Sequence, residues 1–275
     1  MNLLVKAQSG QKIVEVTPAS AGWQYVGFAA YRMAAGETLA FDTGNREACV
    51  VVLTGLVSVV AGPARFERIG ERTSVFEDKS PYAVYVPTPC TLQVTAETAA
   101  EVGIATAPAG KGGVARLIEP AQMKRSVRGS GSNQRFVCDI LPETEPAAHL
   151  LVVEVRTPAG HSSSYPPHKH DSDDVPHESA LEETYYHRLR PEQGFAFQRV
   201  YTDDRSLDEA LAVENHDVVM VPRGYHPVVV PHGYESYYLN VMAGKKRVWH
   251  FHNDPAHEWM LKPGARHTAR PQEPT

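Results

Sequence analysis

The stretch Val218-Val-Met-Val-Pro222-Arg-Gly-Tyr-His226-Pro227 combines a short apolar run, a turn and a histidine directly after the turn. Apolar runs of this length between turn residues are typical of buried β-strands. A similar stretch, Ala83-Val-Tyr-Val-Pro87, lies in the first half, and β-branched runs separated by Gly or Pro recur along the chain. Only the short segment Ser206–Val213 is predicted to be helical, with Ser206 as its N-cap. We therefore predict an all-β protein of the sandwich or barrel type.

The two halves of the chain contain matching segments in the same order. Glu47-Ala-Cys-Val-Val-Val matches Glu182-Glu-Thr-Tyr-Tyr-His, and the Val-Pro pairs at 86–87 and 221–222 follow at the same spacing of about 135 residues. A repeat this long indicates a duplicated domain rather than a solenoid. We predict domains at 1–125 and 126–260, followed by a polar, Pro-rich and flexible tail at 261–275.

Composition excludes several classes of protein. The net charge of −5 lacks the basic surplus of a general nucleic-acid binder, and three widely spaced cysteines do not form a disulfide framework. The N-terminus lacks the pattern of a signal peptide. The apolar run 48–64 is split by Thr54-Gly55, so we predict a β-hairpin rather than a membrane span. These features predict a cytoplasmic protein that binds neither nucleic acid nor membranes, and they leave open whether it is a monomer or a homo-oligomer.

Histidine distribution separates the two halves. All 13 histidines lie at or after position 149. In the segment His168-Lys-His170, residues i and i+2 of a strand would face the same way and could share one ion. Together with a glutamate and His226, these imidazoles could hold one divalent ion per chain, and Zn²⁺, Mn²⁺, Fe²⁺ and Ni²⁺ all suit such a set.

The carboxylate ligand has three candidates, because twelve residues separate His170 from Glu183. Glu178 lies in an acidic segment that resembles an inserted loop, whereas Glu182 and Glu183 open a strand-like run. Glu183 shares a strand face with Tyr185, which favours it over Glu182. The predicted ligands are therefore His168, His170, Glu183 and His226, with Glu182 as the alternative carboxylate.

The order of two histidines, a glutamate and a later histidine resembles the cupin pattern, apart from the long interval before the glutamate. More specifically, the chain resembles the 5-deoxy-glucuronate isomerase family of myo-inositol catabolism, which is related to the 4-deoxy-5-hexosulose-uronate ketol-isomerases. The resemblance is carried by the runs 166–171, 182–189, 194–204, 219–227, 237–244 and 247–259. It implies a bicupin fold, that is, two tandem jelly-roll-like cupin β-barrels. Ala48 and Thr91 align with Glu183 and His226, so the first barrel is expected to bind no metal.

The resemblance also implies a reaction, the aldose–ketose isomerisation of 5-deoxy-D-glucuronate to 5-dehydro-2-deoxy-D-gluconate. A divalent ion would polarise the carbonyl, and a general base would move a proton between adjacent carbons, unless a hydride shifts directly. The candidates for this base are Glu182, Tyr185 and Tyr238.

The substrate's carboxylate requires a cation, so Arg199 and Arg223 are candidate binding residues. Strand alternation alone leaves open whether Arg199 or its neighbour Gln198 faces the pocket. Two alternative functions remain open. The chain could be a non-haem iron dioxygenase, which uses the same ligand set, or a non-catalytic sugar-binding cupin.

Overall fold

The computed structural model describes residues 2–261, so all of the predicted tail except Leu261 lies outside the described residues. Within this range, the helices are one four-residue α-helix, α1 (Pro18–Ala21), and short 3-10 turns at Pro120–Gln122, Gly131–Asn133 and Glu258–Leu261. The remaining elements are β-strands paired antiparallel, which confirms the all-β prediction.

The N-terminal unit is formed by two sheets whose strands lie between residues 12 and 118. Its large sheet has the order β11-β8-β5-β10-β3-β2, and its small sheet has the order β4-β9-β6-β7. The strands are β2 (Lys12–Val16), β3 (Gly27–Met33), β4 (Thr38–Asp42), β5 (Arg46–Thr54), β6 (Val57–Ala61), β7 (Ala64–Ile69), β8 (Tyr82–Val86), β9 (Thr91–Ala96), β10 (Ala100–Pro108) and β11 (Arg116–Ile118).

The C-terminal unit contains the remaining strands, including one from the very start of the chain. Its large sheet has the order β1-β20-β17-β22-β14-β13-β12, its small sheet has the order β15-β21-β18-β19, and β16 pairs with β23. The strands are β1 (Leu4–Val5), β12 (Lys124–Arg128), β13 (Arg135–Leu141), β14 (Leu151–Thr157), β15 (Ser162–Ser163), β16 (His168–Lys169), β17 (Glu182–Arg190), β18 (Phe195–Tyr201), β19 (Asp208–Glu214), β20 (Val218–Val221), β21 (Val228–Val229), β22 (Glu235–Ala243) and β23 (His252–Asn253). Because β1 pairs with β20, the N-terminal residues join the sheet of the opposite unit.

The two large sheets pack face to face and form one apolar cluster between the units. Val51 of β5 and Leu239 of β22 are both buried in it. At Gly103 of β10 the sheets approach so closely that a Cβ atom would lie 3.0 Å from a methyl group of Leu239. The other face of each large sheet packs against the small sheet of its own unit, giving each unit a separate core.

Two local predictions are wrong. The run 48–64 forms two strands, but β5 and β6 belong to different sheets and do not pair as a hairpin. Gly55, at a φ of +82°, turns the chain between the sheets, and a Cβ there would lie 2.3 Å from the carbonyl oxygen of Ala99. The segment 206–213 contains strand β19 rather than a helix, because pairing with β18 outweighs the local capping signal. No helix in the described part of the chain is long and apolar enough to cross a membrane.

Candidate metal centre

Alternation along β17 sends its side chains into two different environments. Tyr185 faces the interior of the C-terminal unit with Glu183 and His187, and all three are buried. Tyr186 faces the N-terminal unit, and its buried ring contributes to the cluster between the units. Successive residues of a strand point to opposite faces, so Glu182 and Glu183 cannot both reach the same cavity.

Glu182 serves the interface between the units. Its carboxylate accepts hydrogen bonds of 2.8 Å from the backbone N–H groups of Gln24, Tyr25 and Val26. The matching residue of the N-terminal unit, Glu47, accepts bonds of 2.7 Å from the backbone N–H groups of residues 148–150. This reciprocal arrangement argues against the catalytic role predicted for Glu182, whose carboxylate is already used by backbone donors on the wrong face of the strand.

The third candidate carboxylate, Glu178, holds together the loop that connects His170 to β17. Glu178 accepts hydrogen bonds from the backbone N–H groups of Asp171 and Ser172, at 2.6 and 3.0 Å. The ammonium group of Lys169 lies 3.5 Å from Glu178 and 2.9 Å from Asp171. Glu178 therefore stabilises the loop, and Glu183 is the carboxylate that faces the cavity.

Three buried side chains, His170, Glu183 and His226, converge so that one potential ligand atom from each lies within 4.8 Å of the others. Oε2 of Glu183 is 3.0 Å from Nε2 of His170 and 3.2 Å from Nε2 of His226. Nδ1 of His170 lies 3.2 Å from the carbonyl oxygen of Leu181, and Nδ1 of His226 lies 2.8 Å from that of Gly224. Carbonyl oxygens only accept hydrogen bonds, so in the neutral rings Nδ1 carries the proton.

This tautomer leaves the Nε2 lone pairs of both rings directed at a carboxylate. Nε2 of His226 is buried and has no hydrogen-bond partner among the described residues. Burial lowers the pKa of His226 to about 3, so its ring is neutral at physiological pH. Burial acts the same way on His170, but the hydrogen bond to Glu183, the negative charge of Glu183 and backbone hydrogen bonds together outweigh burial and raise its pKa. The hydrogen bond to Glu183 requires a proton on Nε2 of His170. A divalent cation would displace this proton and bind the Nε2 lone pairs of both rings together with the carboxylate.

His168 lies beside this group. Its ring centroid is 4.9 Å from that of His226 and 6.3 Å from that of His170, and Phe251 covers it at 4.8 Å. Burial is the main cause that lowers the pKa of His168 to about 3, with a smaller contribution from His170. The ring also hydrogen-bonds the backbone of Pro166, which fixes its orientation. His168 is thus a neutral imidazole held at the edge of the three-residue group.

A cavity of about 260 Å³ is lined by Glu183 and His168 of this group, whereas His170 and His226 lie behind its wall. Two tyrosines form part of its wall, with their rings 4.9 Å apart. The hydroxyl of Tyr185 is 3.2 Å from that of Ser164, and the hydroxyl of Tyr238 donates to that of Ser163 at 3.0 Å. Burial raises the pKa of both phenols, so both are protonated at neutral pH. The wall also includes Arg128, Arg135, Val137, Val155, Tyr165, Pro166, His168, Glu183, Asn240, Trp249, Phe251, Asn253 and Leu261.

The arginines predicted to bind substrate lie outside this cavity. Arg199 is exposed and forms a two-pronged ion pair with Asp208, both bonds measuring 2.7 Å. Arg223 is also exposed. Alternation along β18 instead turns Gln198 inward, where it is fully buried. Its amide group lies 3.0 Å from Nε2 of His187 and donates to the carbonyl of His226 at 3.3 Å. Gln198 therefore holds these two histidines and is not among the residues that line the cavity.

Residues 3–260 match the KduI/IolB family. The chain belongs to this family. A relative from Geobacillus kaustophilus (strain HTA426), named 5-deoxy-glucuronate isomerase, is 56% identical over 251 residues, which are 91% of each chain. A relative of the same name from Bacillus subtilis (strain 168) is 50% identical, covering 94% of this chain and 98% of its own. This KduI/IolB family member therefore resembles its curated relatives along nearly its whole length.

Solved structures show the same fold. The crystal structure of an IolB-like protein from Salmonella typhimurium LT2 has a TM-score of 0.94 and 49% identity, covering 95% of this chain and all of the other. The oxalate decarboxylase of Lactobacillus farciminis, solved with formate, has a TM-score of 0.64 at 11% identity, covering 96% of this chain and 91% of its own. The second comparison concerns the fold alone, and it confirms the bicupin architecture of this KduI/IolB family member.

Sequence reasoning missed three polar residues of the cavity. Asn240 donates a hydrogen bond of 2.7 Å to Oε1 of Glu183 and thereby orients the carboxylate. It lies two residues after Tyr238 on β22, so strand alternation could have placed it beside that tyrosine. Arg128 and Arg135 lie on β12 and β13, outside every histidine-containing motif, and no sequence signal connected them to the site.

Proposed function

We propose that this KduI/IolB family member isomerises 5-deoxy-glucuronate to 5-dehydro-2-deoxy-gluconate at one divalent ion held by His168, His170, Glu183 and His226. The main support is the convergence of lone pairs on Glu183 at the base of a cavity. The names of the relatives, at 50–56% identity, supply the substrate. A divalent ion bound there would act as a Lewis acid toward the sugar carbonyl.

The protein's own contribution begins with orientation. Asn240 fixes one oxygen of Glu183, and backbone carbonyls fix the rings of His170 and His226. The outer hydrogen bonds of metal ligands commonly matter to affinity and activity, because they hold each ligand in its tautomer and direction. A site of this kind is rigid before the substrate arrives, which lowers the cost of reorganisation during the reaction.

We propose that Tyr185 and Tyr238 donate protons during the reaction. Both phenols are protonated at neutral pH, so each can donate to a substrate oxygen on which negative charge develops. A protonated phenol acts as a general acid, so neither tyrosine fits the role of general base predicted from the sequence. Their partners, Ser164 and Ser163, can in turn exchange the hydroxyl proton. Solvent deuterium distinguishes the two routes for the hydrogen that moves from C2 to C1, because a transferred proton exchanges with solvent and a hydride does not.

The three-imidazole, one-carboxylate set accommodates Zn²⁺, Mn²⁺, Fe²⁺ or Ni²⁺. Elemental analysis of the purified protein identifies the ion and its stoichiometry, and we expect one per chain. Alanine substitution at His168 tests directly whether His168 is a metal ligand. If it is, His168→Ala should lower metal occupancy as His226→Ala should. Full occupancy in His168→Ala would reduce the ligand set to the three converged residues.

We propose a structural role for the N-terminal unit. The predicted boundary at residue 125 falls inside β12 (Lys124–Arg128), which pairs with β13 of the catalytic unit, so that unit begins a few residues earlier. At the positions matching Glu183 and His226 the N-terminal unit has Ala48, buried in an apolar core, and Thr91. Its cavity of about 480 Å³ is lined largely by apolar groups such as Phe28 and Phe41. A second metal ion bound within the N-terminal unit would contradict this role.

Proton NMR of 5-deoxy-glucuronate incubated with the metal-loaded protein, without oxygen, tests the proposed reaction. Formation of the ketose supports it. Oxygen consumption coupled to turnover would instead support a dioxygenase, and conversion only of 4-deoxy-5-hexosulose-uronate would support the related ketol-isomerase. The free cysteines at positions 49, 90 and 138 support a cytoplasmic location for the enzyme. The place in inositol catabolism rests on the sequence resemblance alone.

A further inference from the structure

Two arginines face each other across neighbouring strands in the wall of the metal cavity. Arg128 of β12 and Arg135 of β13 are direct cross-strand partners, and both line the cavity. Like charges placed directly opposite each other on a sheet are destabilising. An anion between or beside the two guanidinium groups would remove this repulsion.

The positive charge of Arg135 is less well balanced by nearby acceptors than that of Arg128. Arg135 is half-buried, and Nη1 donates to the backbone and side-chain oxygens of Asn133 at 3.1 and 3.2 Å. Among residues 2–261, no carboxylate forms an ion pair with it. The buried Arg72, in contrast, forms a two-pronged ion pair with Glu154, at 3.0 and 2.8 Å. Buried charges in proteins are usually paired with an opposite charge, as Arg72 is with Glu154.

The charge of Arg135 acts on the cavity. Burial is the main cause that lowers the pKa of Arg135, while the nearby Tyr238 opposes this shift and Arg128 adds to it. Arg128 itself lies 3.8 Å from Asp139 and stacks over Trp249 at 5.4 Å, so its position in the wall is fixed from two sides.

The sheet order and the strand registers set the position of these arginines relative to the metal centre. Strands β22 and β14 lie between β17, which bears Glu183, and β13, which bears Arg135. Three strand spacings of ~4.8 Å separate these strands laterally by about 14 Å, and the register also displaces Arg135 along the strands from the row of Glu183. Both side chains line the same cavity of about 260 Å³, so one bound molecule can contact both.

Resting on the proposed function, we propose that Arg135, with Arg128 beside it, binds the substrate's carboxylate and makes the enzyme specific for sugar acids. The reacting carbons C1 and C2 lie at the opposite end of the six-carbon chain from the carboxylate. The carbonyl end thus meets the metal ligands while the carboxylate end meets the arginines. Arg135 is a specificity-determining residue, and it takes over the role that the sequence suggested for Arg199 or Arg223.

Calorimetric titration of the metal-loaded protein with 5-deoxy-glucuronate tests the proposal. Arg135→Gln should weaken binding by about 10- to 150-fold, the factor expected for losing a hydrogen bond between charged groups. Arg135→Lys should recover only part of this loss, because a point charge cannot form the two-pronged contact. The matched control is Arg125→Gln, on the strand beside Arg135, because Arg125 is exposed and pairs with Asp78 instead.

The neutral counterpart 5-deoxy-glucose, with a hydroxymethyl group in place of the carboxylate, separates binding from structure. Arg135→Gln should leave its binding within twofold of wild type and should leave metal content unchanged. Equal weakening for both sugars, or unchanged binding of the acid, would overturn the proposal. A wild-type protein that binds the acid through Arg135 but does not isomerise it would contradict the proposed reaction and leave the carboxylate site standing.

Discussion

Glu182 and Glu183 are adjacent, chemically identical and assigned opposite tasks, so they offer a matched pair of substitutions. Glu183→Gln keeps the shape of the side chain but removes the negative charge facing His170 and His226. We expect metal affinity to fall by at least 10–100-fold, the loss typical even of groups that only hydrogen-bond a ligand. Isomerisation should fall with metal occupancy, while the apolar cores keep the fold intact.

Glu182→Gln should have the opposite profile. Its Oε2 atom accepts bonds from the N–H groups of Tyr25 and Val26, and its Oε1 atom accepts one from Gln24. A glutamine has one carbonyl oxygen and no charge, so at least one of these backbone N–H groups loses its charged acceptor, at a cost of about 1–3 kcal/mol. At roughly 2–4 °C per kcal/mol for a chain of this size, Tm should fall by about 2–12 °C. Metal content and kcat should stay near wild type.

Elemental analysis, thermal unfolding and initial rates on the two variants measure all three quantities together. If Glu182→Gln lost the metal and Glu183→Gln retained it, the assignment of the two strand faces would be refuted. Loss of metal in both variants would mean that the interface between the units shapes the metal centre.

Three further outcomes follow from particular contacts. Tyr185→Phe should lower kcat by about 10²- to 10⁴-fold without changing metal content, whereas Tyr186→Phe, on the opposite face of β17, should keep kcat near wild type; equal rates for both would remove the phenol from the reaction. Arg72→Met leaves Glu154 buried without its cation and should cost about 3–5 kcal/mol in urea unfolding; a change below 1 kcal/mol would show that the ion pair does not hold the units together. Burial lowers the pKa of His187 to about 4. Between that pH and about 6.5 the unfolded chain binds more protons than the folded protein, so the free energy of unfolding should fall as pH decreases. In His187→Gln this fall should be shallower, and an unchanged dependence of the free energy of unfolding on pH would contradict the assignment.

Local patterns were sufficient to predict part of the site. The strand period placed Glu183 and Tyr185 on one face, and the order of His170, Glu183 and His226 predicted three side chains that the structure brings within ligand distance. These predictions rely on residues that belong to recognisable motifs. They required no knowledge of which strands are neighbours.

The remaining features depend on sheet order and on packing between units. Arg135 reaches the cavity because β13 lies next to β14 in the large sheet, and strand order has no local sequence signal. The function of Glu182 depends on a loop about 157 residues earlier in the chain. Gly55 indicates a chain reversal, but only the structure shows that the reversal leads to a different sheet.

We propose that one divalent ion, bound by His170, Glu183, His226 and His168, makes this protein an isomerase of 5-deoxy-glucuronate. The most direct test is a titration of metal-free protein with a divalent metal, with ketose formation followed by proton NMR. We expect no turnover without metal and a linear rise in rate that saturates at one equivalent of metal per chain. Full turnover by the metal-free protein, or saturation only at two equivalents, would contradict it.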